Sequence, residues 1–138
     1  MESNIKDVVL VGAGPSSLTA AIYLSREDIA TTLYERGVVG GMAAITDQID
    51  NYPGFAEGVT GMKLADELQR QAERFGAKIE YGDVTSLRKT DDVIELTVDG
   101  ATVKTKAVLL ATGSNHRKLG VPGEDELYGR GVHYCATC

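Results

Sequence analysis

Cysteine is scarce in this 138-residue sequence: there are only two, Cys135 and Cys138, both at its end. A fold stapled by disulfides needs more cysteines and a wider spread, so a packed core must hold the chain together. Long hydrophobic runs are also lacking. No stretch is apolar enough to cross a bilayer, and the polar opening Met1-Glu2-Ser3-Asn4 carries no signal-peptide pattern. Positive charge is short as well: 14 Lys and Arg stand against 20 Asp and Glu, a formal net charge of −6. That balance argues against nucleic acid and anionic membrane as partners. Internal repeats and low-complexity segments are absent. With 43% hydrophobic and 25% charged residues, the composition is that of an ordinary globular domain, for which the cytoplasm is the default expectation.

What is present centres on Val8-Val9-Leu10-Val11, an apolar run that reads as a strand buried on both faces. The turn Gly12-Ala13-Gly14-Pro15-Ser16-Ser17 follows, and then Leu18, Ala21, Ile22 and Leu24 at helical spacing. Strand, glycine turn and helix in this order open a dinucleotide-binding βαβ unit. Gly12 permits the sharp turn, and Gly14 leaves bare backbone for a pyrophosphate. Pro15 suits the first helical position, where a missing N–H costs nothing. The helix start offers free N–H groups and the positive end of its dipole to the phosphates. The third glycine of the pattern is missing; Ser17 holds its place and predicts slightly looser packing of helix on strand. A second short strand, Thr31 to Tyr34, ends on Glu35, about twenty residues beyond Gly14, where the fingerprint places a carboxylate for ribose hydroxyls.

Beyond Glu35, the glycine-rich stretch Arg36 to Met42 matches no helix or strand pattern, and Ile49 to Phe55 reads as irregular, with a Pro53-Gly54 turn. Thr60 can cap a helix from about Gly61 to Phe75, whose apolar stripe is Leu64, Ala65, Leu68, Ala72 and Phe75, with Gly76 as the stop. Lys78 to Tyr81 is a third short strand. Val84 to Lys89 and Val93 to Val98 form a meander turning at Thr90-Asp91-Asp92, and Asp99-Gly100 signals a tight hairpin. Ile94, Leu96 and Val98 share one face. Ala107 to Ala111 returns as a buried strand like the first, and Asn115 to Gly131 is loop-like. The fold class expected is α/β: a parallel sheet of strands near 8–11, 31–34, 78–81 and 107–111, with helices on one face and an antiparallel meander on the other. A parallel sheet of four members looks incomplete.

The closing Cys-x-x-C leaves several chemistries to weigh. Two thiols so spaced can close a small disulfide and reopen it by exchange. A zinc site needs four ligands, of which the pair supplies two, and neither His116 nor His133 has ligand spacing to a second pair. Haem attachment requires a histidine directly after the second cysteine. No metal ligands are expected, and His133 reads as a solvated or capping residue.

The glycine turn, Gly40-Gly41, Asn51-Tyr52-Pro53-Gly54, Ala111-Thr112-Gly113 and Gly129-Arg130-Gly131-Val132-His133-Tyr134-Cys135-Ala136-Thr137-Cys138, in this order and at these spacings, resemble the low-molecular-weight thioredoxin reductases. The resemblance covers essentially the whole chain, and the Cys-Ala-Thr-Cys and Asn-Tyr-Pro-Gly segments are its most specific parts. It implies a Rossmann-like FAD/NAD(P)-binding domain over residues 1–114, incomplete relative to the family, and a connecting segment over 115–138 that carries the redox cysteines. It also implies a role for each matching residue. Gly12, Ala13, Gly14, Pro15 and Ser16 would cradle the FAD pyrophosphate, and Glu35 would hold the adenosine ribose. Gly40, Gly41 and Met42 would border the flavin side, with Asn51 near the isoalloxazine. Val84 would meet the adenine through its backbone, and Ala111, Thr112 and Gly113 would close over the cofactor. Cys135 and Cys138 would be the dithiol–disulfide pair. Met42 stands where the family usually has glutamine, which removes a polar contact near the flavin.

The activity this implies is transfer of electrons from NADPH through FAD and the cysteine pair to thioredoxin, by a protein that is a homodimer in the family. The family's NADPH motif and C-terminal FAD segment are not in this sequence, so no NADPH-dependent turnover is expected from residues 1–138 alone. Two alternatives remain at this stage: a non-catalytic nucleotide-binding fragment, and the flavoprotein reductase of a peroxide-reducing system. The latter carries thioredoxin-like domains upstream, and a first strand close behind Met1 speaks against it.

Overall fold

The computed structural model describes residues 5–134. β1 (Lys6–Val11) runs through the glycine turn into α1 (Pro15–Arg26), and β2 (Thr31–Glu35) follows. A single-turn helix, α2 (Gly41–Ala44), precedes α3 (Gly61–Arg74). The remaining elements are β3 (Lys78–Tyr81), β4 (Val84–Lys89), β5 (Ile94–Val98) and β6 (Ala101–Leu110). The strands form one mixed sheet in the order β3-β2-β1-β6-β5-β4. β1 lies parallel to β2 and β6, and β2 lies parallel to β3. β4, β5 and β6 pair antiparallel.

The period of the strands decides what packs where. Successive residues of β1 point to opposite faces. Leu10 therefore joins Leu33 of β2, Leu18 and Ile22 of α1, and Leu64 and Leu68 of α3 in one buried cluster. Val9 and Val11 join Tyr34, Leu96 and Val98 in a second cluster on the other face. Helices thus cover one face of the parallel strands and the meander covers the other, as the sequence predicts. Each fully buried leucine among them contributes roughly 2 kcal/mol by removal from water.

Two differences from the sequence reading concern β6. The hairpin strand after Asp99-Gly100 and the returning apolar strand are one continuous element. Thr105 is where it changes partner: it pairs antiparallel with Ile94 and parallel with Lys6. Its side chain is fully buried, and its hydroxyl oxygen lies 3.1 Å from the Lys6 carbonyl, 3.3 Å from that of Asp7 and 3.0 Å from that of Ala107. The expectation of a buried strand over Ala107 to Ala111 is also corrected, because Ala107, Leu109 and Leu110 are exposed. β1 is flanked by strands on both sides and covered on both faces. Beyond Thr105, β6 pairs with β1 alone among the described residues.

The helices follow their local signals closely. The Thr60 hydroxyl accepts from the Lys63 N–H at 3.3 Å and caps α3, which ends at Arg74 before Gly76 at φ +98°. α2 falls inside the glycine-rich stretch to which the sequence assigned no element. Four residues are too few to show a period. Its entry is set by Gly40, at φ +96° and packed so tightly against Ala65 and Ala44 that no Cβ fits. Asp99 and Gly100 take φ of +47° and +82°, the double left-handed turn of a two-residue hairpin.

Candidate dinucleotide site

The glycine turn is built by two close approaches and one opening. The Gly12 N–H donates to the Tyr34 carbonyl at 2.8 Å, binding the end of β1 to β2. Gly12 also sits at φ +96°, and a side chain there would overlap the Ala111 carbonyl. Gly14 is the opposite case: nothing lies within 4 Å of where its Cβ would stand. It occupies the N-cap of α1 with extended backbone and no side-chain cap, Pro15 follows in the first turn, and that turn holds no acidic residue. Ser16 is exposed beside it. The N–H groups at this end of a 12-residue helix therefore face an open, uncapped space suited to an anion. Ser17 is fully buried, and its hydroxyl has no hydrogen-bond partner. The exchange of the third glycine thus buries an unpaired hydroxyl without opening the helix–strand contact to solvent.

Glu35 is tied into the same turn. Its Oε2 accepts from the Ala13 N–H at 2.7 Å, and its Oε1 accepts from the Gly37 N–H at 2.8 Å. The carboxylate is thereby held at the mouth of the glycine turn with lone pairs left over, since an ionised carboxylate has about four acceptor sites. The Ala13 carbonyl accepts from the Gly40 N–H at 2.7 Å, and Gly41 approaches Gly14 closely. Both glycine-rich segments, far apart in the sequence, meet at one point.

Two clefts are built from neighbouring segments. The smaller, about 140 Å³, is lined by Gly12, Tyr34, Glu35, Val84 and Thr112, among others. The Gly82 N–H donates to the Glu35 carbonyl at 3.0 Å, which brings the start of β4 beside Glu35. Burial, and then the neighbouring Glu80, push the Tyr34 hydroxyl up to about 12, so it keeps its proton near neutral pH. The larger cleft, about 1240 Å³, has Met42, Ile45 and Asn51 on one side and Ser114, His116, Tyr128 and His133 on the other. Met42 and Asn51 are both exposed to it.

Of the sequence-predicted residues, Gly12, Glu35, Val84 and Thr112 line the smaller cleft, Met42 and Asn51 line the larger, and Ala13, Gly14, Gly40 and Gly41 come together at the glycine turn. Cys135 and Cys138 lie outside the described residues. Sequence reasoning missed Arg36 and Asp83, which line the smaller cleft, and the partners that shape the segment before the cysteines. Arg36 and Asp83 are exposed or half-exposed charges in loops, and no period or motif marks them. No group of three or more His, Cys, Asp or Glu among the described residues could hold a metal ion. No helix among them is long and apolar enough to cross a membrane.

A glycine-turned strand and helix, an uncapped helix start and an acid at the end of the second strand define a dinucleotide-binding α/β protein. The family pattern described as pyridine nucleotide-disulphide oxidoreductase matches residues 6–138, and the chain belongs to that family. Among curated relatives, the thioredoxin reductase of Listeria monocytogenes is 45% identical over 99% of this chain and 43% of its own length. That of Treponema pallidum is 45% identical over 96% of this chain and again 43% of its own. The crystal structure of Lactococcus lactis thioredoxin reductase superposes with a TM-score of 0.84 at 42% identity, covering 96% of this chain and 44% of that one. The chain spans less than half the length of the relatives it matches.

Proposed function

We propose that this chain is the FAD-binding part of an NADPH-dependent thioredoxin-disulfide reductase, comprising an FAD-binding portion over residues 1–114 and a connecting segment with the redox pair over 115–138. The single observation that carries the reading is the uncapped start of α1 at Gly14, open to solvent and flanked by Glu35 on one side and Gly40-Gly41 on the other. The residues present fit FAD. Of Gly12, Ala13, Gly14, Pro15 and Ser16, the first two shape the turn with their N–H groups on Tyr34 and Glu35, Pro15 starts the helix without a donor, and the N–H groups of Gly14 and Ser16 with the helix dipole would hold the pyrophosphate. Glu35 accepts the ribose hydroxyls on the lone pairs that Ala13 and Gly37 leave unused. Val84 borders the adenine in the smaller cleft, closed from the other side by Ala111, Thr112 and Gly113. Gly40, Gly41, Met42 and Asn51 line the flavin side. Met42 offers a thioether there, an apolar contact in place of a hydrogen bond.

When bound, FAD supplies two-electron transfer between a nicotinamide and a disulfide. Cys135 and Cys138 are the pair that takes up those electrons. Overall, NADPH, a proton and the disulfide become NADP⁺ and the dithiol, and the dithiol then reduces a disulfide of thioredoxin or a thioredoxin-like protein by exchange. We infer that the NADPH site lies outside residues 1–138 and that the working assembly is a homodimer in the cytoplasm.

Flavin titration of the purified chain tests the reading. Saturable binding that is lost in Gly14→Val supports it, because the variant's side chain stands where the pyrophosphate sits. Equal flavin uptake by both proteins removes the site. In a protein where an NADPH-binding domain follows this chain, Cys135→Ser keeps the flavin and its bleaching by NADPH but loses thioredoxin reduction. A zinc-structural pair would show lost folding instead.

A further inference from the structure

The segment between the last strand and the cysteines is anchored on one buried acid. Glu124 is 4% exposed, although it lies in a loop of exposed neighbours. Its Oε1 accepts from the Leu119 N–H at 2.8 Å, and its Oε2 accepts from the Gly120 N–H at 2.6 Å. Oε1 also accepts from the hydroxyl of Tyr134. The Tyr134 ring is stacked on His116, with centroids 5.0 Å apart and planes 12° from parallel, and packs against Tyr128 at 5.6 Å. His116, Tyr128 and His133 line the larger cleft opposite Met42 and Asn51. A single carboxylate therefore ties the head of the loop, its far end and one wall of the flavin-side cleft together. Tyr134 is the residue that directly precedes Cys135 in the sequence.

We propose that Glu124 is a positioning residue for the Cys135–Cys138 pair, acting through its bond to the Tyr134 hydroxyl. The inference rests on the redox reading of that pair. A buried carboxylate is costly unless its lone pairs are filled, and here two backbone N–H groups and a phenol fill them. The Tyr134 bond and the two N–H bonds hold Glu124 well into its charged form, and its charge in turn pushes the Tyr134 hydroxyl up to about 12. The tether is therefore intact throughout the range in which thiols exchange. It fixes the chain one residue ahead of the first cysteine, so the pair starts from an ordered backbone, and closing the disulfide loses less freedom.

The test equilibrates the purified chain with glutathione redox buffers and measures the fraction of intramolecular Cys135–Cys138 disulfide by mass. Tyr134→Phe removes only the hydroxyl and keeps the ring on His116 and Tyr128. Glu124→Gln keeps the size of the side chain but weakens its acceptors. Each is expected to lower the equilibrium constant for disulfide closure about fivefold, the worth of ordering one residue's backbone. The double variant is expected to lose less than the product of the two single losses, because both act on the Tyr134–Glu124 bond. Unchanged closure in Tyr134→Phe overturns the proposal, as do losses that multiply in the double variant. If the unaltered chain forms no intramolecular disulfide, the redox reading itself fails and the proposal falls with it. Flavin binding should be the same in all variants, since neither residue touches the phosphate or ribose positions.

Discussion

A Cβ on Gly12 would stand 2.4 Å from the carbonyl oxygen of Ala111, just past the ends of the first strand and the last. Gly14, two residues on, has no neighbour in the same sense. The two glycines of one motif therefore serve different ends. Gly12 closes the protein on itself, and Gly14 keeps a space clear.

Gly12→Ala is expected to destabilise the fold by about 2–4 kcal/mol, from the left-handed backbone together with overlap on Ala111. A shift in the midpoint of urea unfolding measures it. Gly14→Ala has room and an ordinary φ of −78°, so unfolding should move by less than about 0.5 kcal/mol. Flavin affinity should nonetheless fall in Gly14→Ala. Equal destabilisation by the two changes would contradict this division of roles.

Glu35→Ala strips the acceptor from the Ala13 and Gly37 N–H groups, of which the first belongs to a buried residue. A cost of about 1–3 kcal/mol follows from the unpaired donor, with a parallel loss of flavin affinity. Glu35→Gln retains one acceptor and should fall between. If flavin titration shows Glu35→Ala binding as tightly as the unaltered chain, the ribose role is wrong.

This much was legible in the sequence because backbone needs specific residues at specific places. Glycine turns, the Thr60 cap and the Asp99-Gly100 hairpin each have local causes, and each appears where its residues stand. The unbroken burial of Val9, Leu10 and Val11 likewise follows from an apolar run between two covered faces. What was not legible came from contacts distant in sequence. The continuity of β6 through Thr105 depends on strands on either side of it, and Lys104-Thr105-Lys106 looks like a polar break. Glu124 stands in a Pro-Gly loop with no period, so nothing local shows that it is buried or that Tyr134 reaches it.

Acid should loosen the segment that Glu124 anchors. Its bonds to Tyr134 and to the Leu119 and Gly120 N–H groups lower its pKa from the ordinary 4.5, so it binds protons less readily folded than unfolded. The stability it contributes is present above about pH 4.5 and is lost as pH falls through the lower, folded value. Glu95, held down by Arg88 and Lys104, and Asp7, held down by Lys106, titrate in the same direction. Near-ultraviolet circular dichroism from the Tyr128–Tyr134 pair should fade over that acid range, and in Glu124→Gln it should be weak already at neutral pH. A signal that does not change until the whole chain unfolds in acid would refute the assignment.

Thr105→Val keeps the shape of the side chain but removes the donor shared among the Lys6, Asp7 and Ala107 carbonyls. The expected loss is about 1–2 kcal/mol in chemical unfolding. No loss would mean that pairing alone holds the strand at its change of partner.

The same strand sets a timetable for the chain's birth. Thr105 reaches back 99 residues to the carbonyl of Lys6, so β1 leaves the ribosome well before it has a neighbour on that side. At a synthesis rate of about 5–20 residues per second, the wait is roughly 5–20 s. During it, Val8-Val9-Leu10-Val11 can settle on β2 and the helices but presents a bare apolar edge to anything nearby. Nascent chains halted before Ala101 should therefore bind holding chaperones strongly, and chains released past Leu110 should not.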